Sequence, residues 1–133
     1  RRAVAAAIDE AIGAGRRVLH VGMHSFTDVL DGCVREVDVG LLFDPTRPWE
    51  SEVCRTWKAA LDDAMPSWRH RWNEPYLGID DGFTTFLRSG RPDAMYAGIE
   101  VEGRQGLLGT PEDRDVFATL LERTLRTTID AMR

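Results

Sequence analysis

With 133 residues, 43% of them apolar, the chain suits one α/β-sized domain with its own core and not two. Seventeen Lys and Arg against 22 Asp and Glu give a formal charge of -5, and the basic residues are scattered rather than gathered into a stripe, so nucleic acid is not an expected partner. No apolar run approaches the roughly 20 residues that cross a bilayer, and the opening Arg1-Arg2-Ala3-Val4 segment reads as an amphipathic helix rather than a signal peptide, so a cytoplasmic protein is expected.

Val4, Ile8 and Ile12 recur at spacing four and predict a helix over residues 2–13, stopped by Gly13 and Gly15. Residues 18–23 form a short apolar run of the kind buried in a parallel sheet, ending at the polar step His24-Ser25. A loop over 24–35 is expected next, then a strand over 37–43 closed by Asp44-Pro45. Val53, Trp57, Ala60, Leu61 and Ala64 share one helical face over 51–65, ahead of Pro66. Residues 68–72 suit a short edge strand, and 73–82 a loop with Pro75, Gly78 and Gly82. A short helix over 83–89 and a third strand over 95–101 follow. Thr110-Pro111-Glu112-Asp113 is a strong helix start, combining an N-cap, a proline at the first helical position and acids in the positive first turn. That last helix is expected to bury Val116, Leu120, Leu121, Leu125 and Ile129. Strands alternating with helices predict an α/β fold, a layered and largely parallel sheet with flanking helices. Cys33 and Cys54 have no second pair with which to form a four-thiolate site, and reduced thiols are expected.

Ligands of open α/β sheets bind beyond the carboxyl ends of the strands. Two such ends carry chemistry-bearing residues: His24-Ser25 after the first strand, and Glu100 with Glu102 in the third. A lone histidine ordinarily bonds a loop carbonyl, but the strand-end position makes His24 a candidate ligand. His20 lies about 13 Å from it along a strand, too far to share one metal, and is expected to be a hydrogen-bonded core histidine. Glu100 and Glu102 share a strand face, with no Lys or Arg over 95–103 to neutralise them, so a metal is a candidate partner. Asp80-Asp81-Gly82 reads as a turn and helix cap. Phosphate-loop, dinucleotide-fold, HExxH and GxSxG patterns are absent.

Four segments in register, His24-Ser25-Phe26-Thr27, Asp38 to Pro45, Asn73 to Gly82 and Gly98 to Gln105, resemble successive blocks of the N-formylglutamate amidohydrolase family. The resemblance spans residues 18–105. It implies a fold similar to the zinc carboxypeptidases, a zinc-exopeptidase-like domain in which His24 is a zinc ligand and Glu100 the catalytic carboxylate. It further implies Ser25 in a supporting contact, Asn73 and Tyr76 on the substrate side, and an N-acyl amino acid as the small-molecule substrate. Arg35 and Arg47 are both open as clamps for an acidic substrate. Asp28 departs from the family's proline, and Gly103-Arg104 from its Val-Asn step. The family's other metal ligands lie in an N-terminal block, and this chain opens at Arg1 within a helix, so residues 1–133 are expected to be one domain's C-terminal portion, completed by a missing N-terminal segment of the same protein. The alternative is a non-catalytic structural or binding domain with an incomplete metal site.

Overall fold

The computed structural model describes residues 1–133. In chain order the elements are α1 (Arg2–Gly13), β1 (Val18–Phe26), β2 (Val29–Leu30), β3 (Cys33–Val34), β4 (Val39–Leu42), α2 (Pro48–Ala64), β5 (His70–Trp72), α3 (Phe83–Arg88), β6 (Tyr96–Arg104) and α4 (Pro111–Ala131). Four strands form one sheet in the order β1-β6-β4-β5. The pairs β1·β6 and β4·β5 are parallel, but β4 runs antiparallel to β6. The sheet is therefore mixed and mostly parallel, within the expected α/β class.

Alternation along the strands divides the core. Val39, Leu41, Ile99 and Val101 face α2 and α4, where Val53, Trp57, Leu61, Phe117, Leu120 and Leu121 complete the main cluster. The other face packs Tyr96 and Val18 against Ile8 of α1 and Leu87 of α3. Thr110 caps α4 as expected: its hydroxyl accepts the Asp113 N–H at 3.1 Å, and the Asp113 carboxylate accepts the Thr110 N–H at 3.2 Å.

Several boundaries differ from expectation, for reasons of pairing. β1 continues through His24 to Phe26, and β6 through Glu102 to Arg104, because the two strands pair along all nine positions. Part of the expected 24–35 loop is a small hairpin, β2 against β3. The buried face of α4 is Phe117, Leu120, Leu121, Thr124 and Thr128, while Val116 and Ile129 are exposed. Threonine fits inside because its hydroxyl is satisfied locally: Thr124 donates to Leu120 O at 2.7 Å and accepts from Trp57 Nε1 at 2.9 Å.

Candidate functional site

β1 and β6 are parallel neighbours, so their carboxyl ends open side by side. Their register sets Gly22 beside Glu100 and His24 beside Glu102. His20, Gly22 and His24 therefore share a face with Gly98, Glu100 and Glu102, the face that α1 and α3 cover only in part. His24 Nε2 lies 3.7 Å from Glu100 Oε1, longer than a hydrogen bond, and His24 bonds no loop carbonyl. Gly22 floors the space between them: a Cβ there would stand 3.5 Å from His24 Nε2 and 3.7 Å from Glu100 Cγ. The result is a cleft of about 380 Å³ lined by His20, Gly22, His24, Phe83, Thr84 and Glu100 among others. A larger groove of about 580 Å³ lies between α2 and α4, but Asp63 is its only carboxylate and it holds no imidazole, so it offers less chemistry.

Glu100 is oriented by Thr84, whose hydroxyl donates to Oε1 at 2.9 Å. Thr84 comes close enough because residue 98 is glycine: a Cβ there would stand 2.6 Å from Thr84 Cγ2 and 2.7 Å from the Tyr96 hydroxyl. That hydroxyl meets His20 Nδ1 at 3.0 Å, so His20 is hydrogen-bonded as expected, but it is only half-buried and lines the cleft rather than the core. Burial lowers the pKa of His20 from its ordinary value, opposed by the charge of Glu100, and raises that of Tyr96 to about 12. Both groups remain neutral near pH 7.

Glu102 is buried deeper, with Oε2 lacking any hydrogen-bond partner. Burial raises its carboxyl above the ordinary range, opposed by His24 and Arg35 and reinforced by the neighbouring Glu100. The Glu74 carbonyl passes over Gly40 beside it, an approach that a Cβ at residue 40 would block.

The remaining candidates divide. Tyr76 is exposed and is not among the residues lining the cleft; its hydroxyl accepts from Arg35 Nη1 at 3.2 Å. Ser25 lies on the opposite face of β1 from His24, at 3.4 Å from Gln105 Nε2, and does not enter the cleft. Asn73 Oδ1 accepts the N–H groups of Phe43 at 3.1 Å and Gly78 at 2.9 Å, so it ties the 73–82 loop to the end of β4 and leaves only its amide NH₂ for a substrate. Arg47 is buried and committed to Tyr96 O at 2.9 Å, Asp93 at 2.8 Å and Glu50 at 3.3 Å, which removes it as a substrate clamp. Asp80 serves a turn, its carboxylate accepting the Leu77 N–H at 3.2 Å.

Thr84 and the buried Glu50–Arg88 pair are structural supports of the cleft that no local pattern announced. Arg88 of α3 donates to Glu50 at 3.0 Å and to Gly98 O at 2.9 Å, and so fastens the helix bearing Thr84 to the strand bearing Glu100.

No group of three or more His, Cys, Asp or Glu is placed to hold a metal ion. No helix is long and apolar enough to cross a membrane. No protein-family model and no curated protein matches the chain. Among solved structures, gene product Atu2144 from Agrobacterium tumefaciens is similar, with a TM-score of 0.76 and 31% identity over 94% of this chain and 47% of that one. This chain thus spans about half the length of the protein it matches, and shares the α/β fold of that half.

Proposed function

We propose that this chain brings one imidazole ligand and the catalytic carboxylate to a metal-dependent amidohydrolase, and that the longer protein cleaves the amide bond of N-formylglutamate or a related N-acyl amino acid. The single observation that carries the reading is the meeting of His24 and Glu100, 3.7 Å apart, on the same face of adjacent parallel strands over a glycine floor. The zinc-exopeptidase-like domain is the finer form of the α/β fold that goes with it.

The donor set suits zinc in part. An imidazole nitrogen without a hydrogen bond, beside a carboxylate, is the chemistry zinc takes, but a catalytic zinc takes three protein ligands. His24 would be one, and the others would come from the portion of the longer protein outside this chain. When bound, zinc supplies Lewis acidity, polarising the scissile carbonyl and making water acidic enough to yield a proton near neutral pH. Glu100 accepts that proton and returns it to the leaving nitrogen. Thr84 holds the Glu100 carboxylate by one oxygen and leaves Oε2 without a protein partner. Glu102 lies two residues nearer the carboxyl end of β6, is more buried, and lacks a hydroxyl to aim it.

For the 133-residue chain alone, the lack of any group of three metal-ligating side chains favours a second reading, a non-catalytic structural or binding domain. Metal analysis of the longer protein separates them. About one zinc per chain is expected, lost in His24→Ala while the circular dichroism spectrum is kept. Stoichiometric zinc in His24→Ala removes His24 as a ligand, and a zinc-free wild type without amidase activity favours the second reading.

A further inference from the structure

Because β6 lies between β1 and β4, the chain leaving β1 must cross the carboxyl end of β6 to reach β4. Arg104, the last residue of β6, holds both feet of that crossover. Its Nη1 donates to Asp28 Oδ2 at 2.7 Å and its Nε to Asp38 Oδ1 at 2.8 Å. The Gly106 N–H donates to the other Asp28 oxygen at 2.8 Å, and the Arg35 N–H to the Asp28 carbonyl at 2.9 Å. Two of the positions that depart from the family pattern, Asp28 and Arg104, are thus partners in one ion pair, and that pair fixes the backbone from which the Arg35 side chain springs.

The Arg35 guanidinium has no carboxylate within ion-pair distance. Its carbon lies 5.2 Å from the ring centre of Tyr76 and 5.7 Å from that of Phe26, and its Nη1 donates to the Tyr76 hydroxyl at 3.2 Å. Phe26 shares its strand face with His24 two residues earlier. A planar cation held against two rings loses little freedom on binding and keeps donors for a bidentate carboxylate. The need for it is electrostatic. Glu100 lines the cleft and Glu102 follows it on the same strand face, so an anionic substrate is repelled unless a fixed cation meets its charge. Arg47 is spent on the fold, whereas Arg35 has no carboxylate partner and its charge is felt at Glu102.

We infer that Arg35 is the specificity-determining residue of this site, binding a carboxylate of the N-acyl amino acid, and that the Asp28–Arg104 pair is the positioning device that sets it; this rests on the amidohydrolase reading. Steady-state kinetics of the longer protein on N-formylglutamate, its α-amide and its side-chain amide test it. Arg35→Gln raises KM for N-formylglutamate about 10- to 100-fold, the loss of a charge-assisted bidentate contact, with kcat little changed. KM for one of the two amides stays as in wild type, which tells which carboxylate Arg35 holds. Arg35→Lys recovers part of the loss. Asp28→Asn raises KM with the same substrate selectivity, to a smaller extent. Arg35→Gln with KM values unchanged, or raised equally on all three substrates, overturns the specificity role, and an Asp28→Asn effect equal on all three overturns the positioning role. Wild-type inactivity on all three substrates removes the amidohydrolase reading and the inference with it, whereas an active wild type whose preference survives Arg35→Gln removes the inference alone.

Discussion

Glu50→Gln exchanges one carboxylate oxygen for an amide nitrogen at almost constant volume, at a position with no solvent exposure. In the native fold Oε1 accepts from Gly98 N–H at 2.9 Å and Arg88 Nε at 3.0 Å, and Oε2 accepts from Asp44 N–H at 2.8 Å. Arg47 Nε stands 3.3 Å from Oε1 as an ion pair without hydrogen-bond geometry. Either orientation of the amide turns an NH₂ toward a donor, and the charge facing two guanidinium groups disappears. Removing one partner of a buried pair in this way costs about 3–5 kcal/mol. With a urea slope of about 1.5 kcal/mol per M, the unfolding midpoint should fall by about 2–3 M. Arg88 sits on the helix that carries Thr84, so the loss also loosens the contact that orients Glu100. Adding Arg88→Met should recover part of the stability, since deleting both partners leaves fewer uncompensated charges. A midpoint shift below about 0.5 M at unchanged slope would refute the reasoning.

Other consequences follow from the same packing. Burial works against the charge of Asp38, but the side-chain and backbone N–H groups of Arg69, with Arg104, hold its pKa at about 2 against the ordinary 3.8. A depressed folded pKa gives stability that is complete above the unfolded value and is lost as pH falls through 3.8 toward about 2, here about 2 kcal/mol. Asp38→Asn should therefore flatten the acid limb of a stability-against-pH curve from about pH 5 downward, and an unchanged limb would contradict the network. Burial pushes the Cys54 thiol far up, whereas Cys33 is exposed. A thiol-reactive disulfide should titrate one cysteine per native chain and a second only in denaturant, and two fast thiols would place Cys54 wrongly.

What was legible in the sequence is what local pattern controls. The 18–23 run, the 95–101 run and the Thr110 cap each announce an element through neighbours in sequence, and the strand-end rule directs attention to His24 and Glu100. Strand lengths were not legible, because positions 24–26 and 102–104 become strand only by pairing with each other. The buried face of α4 was not legible either, since a hydrophobic pattern counts Val116 and Ile129 and passes over Thr124, whose hydroxyl is satisfied within the helix and against Trp57. The choice between Arg35 and Arg47 lay in tertiary structure: Arg47 is consumed by Tyr96 O and Asp93, more than 40 residues away in sequence. Thr84 and the Glu50–Arg88 pair were invisible for the same reason, being joined across separations of 16 and 38 residues.

The central claim is that Glu100, aimed by Thr84 beside His24, is the carboxylate that moves the proton. Turnover of N-formylglutamate by the longer protein, measured with metal content for Glu100→Gln and Glu102→Gln side by side, tests it most directly. Glu100→Gln should lower kcat about a hundredfold or more with zinc retained, and Glu102→Gln should lower it less. The reverse order, or a Glu100→Gln protein that turns over as fast as wild type, would contradict the account.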